Sequence, residues 1–239
     1  MHSIVRLDLL SQTDMATTTY LSVFNAASLA GWTYIMAETS LALYKDQDIV
    51  ISSAKLWGLV AHPLKLIQIF AVLDVLHIIF GIVRSPLGLT LTQVCTRFFN
   101  LFVIYSLCPD SRYHEGFILT IFVWALVAIA RHGIYLLNLI TRGQNWFVSL
   151  QILLCLVLYP LGFVGEASCI LKALPFLSTG VYSIQMPNDH NISLSLLTIV
   201  YIMFGLSCIH LFLRLSNAAS QSRQPTLPAG YHDAALKSK

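Results

Sequence analysis

The sequence predicts an all-α fold, a polytopic membrane protein built as a bundle of about six transmembrane helices. Of the 239 residues, 56% are hydrophobic and only 10% are charged, whereas about 25% of a typical soluble domain is charged. The mean hydropathy is +0.73. So few charged groups cannot cover a soluble globule of this size. The formal net charge is +3, without the clustered basic face of a nucleic-acid-binding protein, so we expect no nucleic-acid partner.

Six apolar windows predict the helices of the bundle. A helix that crosses a bilayer needs about 20 mostly apolar residues, and its backbone polar groups must be paired within the helix. The sequence meets this requirement near 17–37, 63–83, 90–109, 117–140, 147–170 and 192–214. The predicted organisation is a cytosolic N-terminal segment 1–16, a six-span catalytic domain 17–214 and a polar tail 215–239. We expect this cytosolic tail to be disordered.

Basic residues in short loops predict the orientation, because they mark the cytosolic side of a membrane protein. With six spans both termini lie on one side. The ends and loops of that side contain Arg6, Arg84, Arg142, Arg214, Arg223, Lys237 and Lys239. The opposite loops contain fewer basic residues, and acidic residues offset them. We therefore expect both termini in the cytosol.

The cysteines predict neither a disulfide framework nor a metal site. All five lie in or beside apolar segments, and no two form a CxxC pair. Cys208 and Arg214 have the spacing of a phosphatase loop, but residues 209–213 between them predict a lipid-facing helix. We expect no metal and no cofactor.

Charged side chains at bilayer depth are costly and mark functional candidates. Asp74 and His77 are three residues apart and share a helix face, so one interpretation is that they bond across to Arg97 in a structural pairing. Arg131 lies in the middle of the fourth span, where a carboxylate partner is expected. Asp74 and Glu166 are the acids available at that depth.

Tyr159 and Glu166 form the sharpest pattern. Seven residues at about 100° each return to within about 20° of the same helix face, and the two Cα atoms lie about 10 Å apart along the axis. Gly162 and Gly165 between them allow close approach of a partner helix or a substrate. A packing role accounts for a tyrosine here, but not for a glutamate on the same face beside two glycines.

Over about residues 20–195 the chain resembles the protein tyrosine phosphatase-like membrane family, the 3-hydroxyacyl-CoA dehydratases of the endoplasmic reticulum. The order and spacing of several pieces carry the resemblance. They are Gln68-x5-Asp74-x2-His77, Gln93-x3-Arg97, Trp124-x6-Arg131-x3-Tyr135 and Tyr159-Pro160-x-Gly162-x2-Gly165-Glu166.

The resemblance implies dehydration of a long- or very-long-chain 3-hydroxyacyl-CoA to the trans-2-enoyl-CoA, the third step of fatty acid elongation. It implies Tyr159 and Glu166 as the catalytic pair. The remaining polar residues would bind substrate or support the site: Arg131, Tyr135, Asp74, His77 and Arg97. It also implies an endoplasmic reticulum membrane, contact with lipid, and as partners the condensing enzyme, the ketoacyl-CoA reductase and the enoyl-CoA reductase. Arg84, Arg142 and Arg214 are candidates for a basic rim that meets CoA.

The chemistry of dehydration fits this pair of residues. A proton leaves the carbon beside the thioester, and a hydroxyl leaves the next carbon, so the site needs a base and an acid. Glu166 suits the base, and Tyr159, with a reference pKa near 10, is protonated at neutral pH and suits the acid. The reverse assignment, with a tyrosinate activated by a cation such as Arg131, stays open.

Three positions depart from the family pattern. Ala128 stands where the family usually has glutamate, His132 where it usually has tyrosine, and Asp74 where it usually has glutamate. The alternative function is therefore a catalytically weak or inactive member that acts as a membrane scaffold or lipid-binding protein. A small transporter is less favoured, because the sequence shows no repeated halves.

Overall fold

The computed structural model describes residues 2–46, 48–83, 85–141, 145–184 and 195–223, with side chains for 15–46, 48–49, 51–83, 85–138, 156–184 and 195–219. These ranges are almost entirely helical and contain no β-strand. The longer helices are α1 His2–Asp46, α2 Ile49–Ile79, α3 Leu87–Phe99, α5 Glu115–Thr141, α6 Asn145–Ser178 and α7 Leu196–Arg223. A π-helical stretch Asn100–Ile104 and a short α4 Tyr105–Leu107 continue α3, and a 3-10 turn Pro109–Ser111 follows.

Within the described residues, five helical stretches are long and apolar enough to cross a membrane. With α1 they form a bundle of six long helices, so the predicted all-α membrane fold is confirmed. The five stretches are Ile51–Ile79, Leu87–Leu107, Glu115–Asn138, Leu156–Ser178 and Leu196–Ala219. Large apolar side chains stay exposed on their outward faces, as expected for surfaces in contact with lipid.

The first predicted span lies inside α1, which is less apolar than the other five helices. α1 and α2 pack antiparallel along their length: the Ser52 hydroxyl donates to the carbonyl of Ala42 at 3.2 Å near the turn. At the other end of the pair the Tyr20 hydroxyl lies 2.9 Å from His77 Nε2. Residues 20–42 of α1 therefore lie alongside the whole apolar stretch of α2.

Several exposed hydroxyl groups of α1 have their hydrogen-bond partners within the helix itself. Thr19, Thr33 and Ser40 are exposed, and each donates to the carbonyl four residues earlier at 2.8–2.9 Å. Because these polar groups are satisfied within the helix, they do not need water.

The closest helix contact joins α5 and α6. A Cβ added to Gly165 would lie 2.6 Å from Thr120 Oγ1 and 3.0 Å from its backbone nitrogen, and one added to Gly116 would overlap the Ser168 hydroxyl. At Gly162 it would lie 3.1 Å from a methyl carbon of Val123, which like Thr120 belongs to α5. The predicted close approach at Gly162 and Gly165 is confirmed, and the partner is a helix.

The helix ends differ from the predicted boundaries. α2 begins at Ile49, well before the predicted start near 63, and ends before Gly81, whose φ of +71° is the left-handed conformation that stops a helix. The segment 1–16 is helical from residue 2. α7 continues to Arg223, so the expected disorder is wrong for 215–223, because nothing breaks the helix before Pro225. Residues 224–239 lie outside the described part.

We predict that Gly165→Ala destabilises the protein, because the new methyl group meets backbone atoms of α5 that cannot move aside cheaply. Overpacking of this kind costs about 1–3 kcal/mol. Thermal unfolding of the detergent-solubilised protein measures the effect. The control is Gly133→Ala in α5, where an added Cβ meets nothing within 4 Å. It should match the parent or exceed it, since alanine favours a helix over glycine. Equal melting temperatures for both variants would contradict close α5–α6 packing.

Candidate active site

Tyr159 and Glu166 line one cavity of about 40 Å³ inside the bundle, here called the Tyr159 cavity. Helices α3, α5, α6 and α7 all contribute to its wall. A single water needs about 10–15 Å³, so the cavity has room for a few waters. Its other polar lining residues are Gln93, Thr96, Arg97, Trp124, Ser207 and His210.

Two neutral donors hold the carboxylate of Glu166. The indole Nε1 of Trp124 donates to Oε1 at 2.7 Å, and the amide of Asn100 donates to Oε2 at 3.0 Å. Each carboxylate oxygen can accept more than one hydrogen bond. Both oxygens therefore keep a free lone pair while the carboxylate is fixed in orientation.

Asn100 reaches Glu166 from the start of the π-helical stretch Asn100–Ile104. A π-helical turn is rare, is frequent at functional sites and changes the face on which the following residues lie. The Asn100 side chain is 1% exposed. The break in helical regularity within the third span thus coincides with the contact to the carboxylate.

Arg97 lies beside the carboxylate without forming an ion pair with it. Its guanidinium lies 5.0 Å from the ring centre of Trp124 and 5.9 Å from that of Trp32, so two aromatic faces hold the cation. The side chain also lines the Tyr159 cavity. Among the described side chains, the ion pairs are Lys55–Asp46 and Arg131–Asp74.

Helix α7 supplies the surroundings of Tyr159. The His210 ring meets the Tyr159 ring nearly edge-on, with centres 5.9 Å apart, and the Arg214 guanidinium lies 5.2 Å from the Tyr159 ring centre. Arg214 donates to Gln93 Oε1 at 2.5 Å.

The expectation that 209–213 faces lipid is correct for Ile209 and Phe212, which are 52% and 70% exposed. It is wrong for His210, which is 8% exposed, because the helix turns this position inward. Cys208 is exposed and lies in the continuous helix, so no loop of free backbone N–H groups joins it to Arg214.

Asp74 pairs with Arg131, whose guanidinium donates to Oδ2 at 2.6 Å. The carboxylate partner expected for Arg131 is therefore present. The expected pairing of Asp74 and His77 with Arg97 is wrong, because Asp74 bonds to Arg131 and the Arg97 guanidinium lies against Trp32 and Trp124. His77 instead contacts Tyr20.

The positions that depart from the family pattern surround this ion pair. His132 is buried, with Nδ1 2.7 Å from Asn25 Oδ1 and Nε2 3.2 Å from the Arg131 guanidinium. Ala128 is also buried. Since Asp74 already neutralises Arg131, the fold needs no second acid at position 128.

Two cavities with shared walls lead to the Tyr159 cavity. The Arg131 cavity, of about 250 Å³, is lined by Asp74, His77, Arg131 and Tyr135, and reaches the end of the bundle at Val83 and Asn138. A smaller middle cavity shares Asp74 and Arg131 with the Arg131 cavity, and Gln93 and Arg97 with the Tyr159 cavity. A row of polar side chains thus runs from the end of the bundle to Glu166.

Sequence reasoning missed the roles of Asn100, Trp124 and His210. Helical spacing carried a signal for each. Asn100 follows Arg97 by three residues, Trp124 precedes Arg131 by seven, and His210 precedes Arg214 by four. Of the candidate basic rim, Arg214 lies over Tyr159 instead, and the side chains of Arg84 and Arg142 lie outside the described part.

Comparisons with known proteins identify the family. The family described as protein tyrosine phosphatase-like protein, PTPLA, matches residues 68–227. The chain is 31% identical over 183 residues to very-long-chain (3R)-3-hydroxyacyl-CoA dehydratase hpo-8 of Caenorhabditis elegans, covering 76% of this chain and 82% of that protein. It is 32% identical over 177 residues to very-long-chain (3R)-3-hydroxyacyl-CoA dehydratase 2 of Mus musculus, covering 74% and 68%.

A plant relative is equally similar. The chain is 31% identical over 178 residues to very-long-chain (3R)-3-hydroxyacyl-CoA dehydratase PASTICCINO 2 of Arabidopsis thaliana, covering 73% of this chain and 77% of that protein. No solved structure matches the chain. The chain belongs to the protein tyrosine phosphatase-like family, as the motifs around Arg131 and Glu166 indicated.

Proposed function

We propose that this protein dehydrates long- or very-long-chain 3-hydroxyacyl-CoA to trans-2-enoyl-CoA, the third step of the fatty acid elongation cycle. The observation that carries the proposal is the placement of Glu166 and Tyr159 in one interior cavity, with the carboxylate fixed by two donors. The names of three relatives from animals and a plant support the same reaction.

Glu166 acts as the base and Tyr159 as the acid. The carboxylate takes the proton from C2 of the acyl chain, the C2–C3 double bond forms, and the C3–O bond breaks as the Tyr159 phenol protonates the departing hydroxyl. Water leaves, and the proton returns from Glu166 to the phenolate of Tyr159. Arg97 places positive charge beside the cavity, where negative charge develops on the thioester oxygen during proton removal.

Trp124 and Asn100 position the base. Both are neutral donors, so they orient the carboxylate of Glu166 without neutralising it with a fixed cation. The two cations nearest the reacting groups have partners other than Glu166: Arg97 contacts the rings of Trp32 and Trp124, and Arg214 donates to Gln93.

The substrate enters through the row of cavities. Its CoA group lies toward the Arg131 cavity. The supporting polar network there consists of Arg131, Tyr135, Asp74 and His77. The Tyr159 cavity is too small for an acyl chain, so binding must separate the helices around it. The acyl chain then lies among the apolar side chains of the bundle and the surrounding lipid.

The protein lies in the endoplasmic reticulum membrane with both termini in the cytosol, beside the condensing enzyme and the two reductases of the elongation cycle. The antiparallel pairing of α1 with α2 supports six spans and hence termini on one side. Protease protection of tags at the two ends tests this orientation. Both tags should be digested in intact microsomes, and protection of either tag would contradict the proposed topology.

We predict that Glu166→Gln and Tyr159→Phe each abolish most dehydration while the protein still accumulates. Both changes nearly preserve volume, but a glutamine amide cannot take the proton and a phenylalanine ring cannot give one. Each general acid or base typically contributes about 10²–10⁴-fold. The two groups act on one transition state, so the double variant should lose far less than the product of the single losses. Turnover of 3-hydroxyacyl-CoA by purified protein measures this.

Tyr201→Phe is the matched control, because Tyr201 lies exposed on α7 and does not line the Tyr159 cavity. It should keep parental turnover. Near-normal turnover in either Glu166→Gln or Tyr159→Phe would remove that residue from the chemistry. A folded parental protein without any dehydration would favour the scaffold alternative.

A further inference from the structure

His210 is a buried imidazole that takes no part in the proposed proton transfers between Glu166, Tyr159 and the substrate. It is 8% exposed, lines the cavity that contains Tyr159 and Glu166, and lies edge-on to the Tyr159 ring. Its Nε2 atom is buried and has no hydrogen-bond partner in the part of the chain that the structure describes. A buried polar atom without a partner is unfavourable, and it commonly marks a place that a ligand or water completes.

The partner of the other ring nitrogen fixes the tautomer. His210 Nδ1 lies 3.0 Å from the hydroxyl oxygen of Thr92. That hydroxyl has one hydrogen, which it donates to the carbonyl of Gly88 at 2.8 Å, with a longer contact to Leu89. With that hydrogen on the carbonyl of Gly88, the Thr92 oxygen accepts from His210, and we assign the ring hydrogen to Nδ1 on this basis.

The free nitrogen is consequently an acceptor. A third positive charge beside Arg97 and Arg214 would be costly inside the membrane, so the ring is neutral. With hydrogen on Nδ1, the lone pair of the neutral ring lies on Nε2. The hydroxyls of Thr96 and Ser207, which also line the cavity, already donate to carbonyls of their own helices.

We propose that His210 Nε2 accepts a hydrogen bond from the 3-hydroxyl group of the substrate and turns its oxygen toward the phenol of Tyr159. The substrate hydroxyl donates its hydrogen to His210, which leaves its oxygen lone pairs free to receive the proton of Tyr159 as the C3–O bond breaks. This role rests on the proposed dehydration. His210 binds the group that leaves, and it neither gains nor loses a proton overall.

The proposal makes His210 a specificity-determining residue. The enoyl product and a saturated acyl-CoA have no 3-hydroxyl, so bound in the same place they would leave Nε2 unpartnered. A site built to bond a hydroxyl rejects analogues that lack it. His210 should thus make the site prefer the 3-hydroxyacyl chain over both.

Two variants, each of which replaces only one of the two ring nitrogens, separate this role from a structural one. The amide of an asparagine at 210 reaches the place of Nδ1 and keeps the contact with Thr92 only. The amide of a glutamine reaches the place of Nε2 and restores an acceptor in the cavity only. We expect His210→Asn to lower kcat/KM at least tenfold, whereas His210→Gln retains most of the activity. Melting temperatures of both purified variants control for folding.

Binding without turnover gives a second readout. In the Glu166→Gln background, dissociation constants are measured for 3-hydroxyacyl-CoA and saturated acyl-CoA of the same chain length. The background protein should bind the 3-hydroxyacyl-CoA at least tenfold more tightly. Adding His210→Asn should make the two constants equal by weakening only the hydroxylated ligand, and adding His210→Gln should preserve the preference. If His210→Asn does not fold, His210→Ala replaces it.

Opposite results would overturn the proposal. If His210→Asn keeps its activity and His210→Gln loses it, the ring acts by tying α7 to Thr92 on α3. Equal weakening of both ligands would likewise mean a packing role. These outcomes are distinct from failure of the dehydratase function, which would appear as a folded parental protein that binds the ligands but does not turn over 3-hydroxyacyl-CoA.

Discussion

The close packing of α5 against α6 is the constraint on which the site depends. Gly116 and Gly165 have no side chains, so the two helices approach until backbone and hydroxyl atoms touch. Only at this separation does Trp124, two turns along α5, reach the carboxylate of Glu166 at 2.7 Å. A bulkier residue in the contact would move the base away from its donor as well as loosen the bundle.

The distribution of charge in the interior keeps Glu166 available as a base. A carboxylate in an ion pair is stabilised in its charged form and accepts a proton less readily. Here Arg131 is neutralised by Asp74, and Arg97 is held between Trp32 and Trp124. Each cation therefore has its own partner, and the donors that touch Glu166 are neutral. The cations still lie close enough to the cavities to meet a negatively charged reaction centre.

Polar contacts between helices fix the site from several sides. Two contacts join three helices. Arg131 of α5 bonds to Asp74 of α2, and the neighbouring His132 bonds to Asn25 of α1. Contacts of Thr92 with His210 and of Gln93 with Arg214 join α3 to α7. The hydrophobic effect gives little preference for one arrangement of helices in lipid, because lipid is as apolar as the side chains. These contacts determine which helix faces the cavity.

The sequence predicts the helical class, the apolar stretches and the common face of Tyr159 and Glu166, because hydropathy and helical periodicity act within one helix. It does not predict which helices are neighbours. The spacing of Asp74 and His77 favours Arg97 as their partner, whereas the structure pairs Asp74 with Arg131. The choice depends on how α3 and α5 turn relative to α2. The apolar neighbours of His210 predict a lipid-facing position. The same composition is also compatible with a helix in which most positions face lipid and this one faces inward. The π-helical stretch at Asn100 has no signature in hydropathy.

The most direct test is a cryo-electron microscopy structure of the Glu166→Gln variant with 3-hydroxyacyl-CoA bound. C2 of the acyl chain should lie against the side chain at 166, and the 3-hydroxyl should lie within hydrogen-bond distance of Tyr159. The thioester would face Arg97, with the CoA group toward the Arg131 cavity. If C2 and C3 instead lie beside Asp74 and Arg131, or outside the bundle, dehydration does not occur in the Tyr159 cavity.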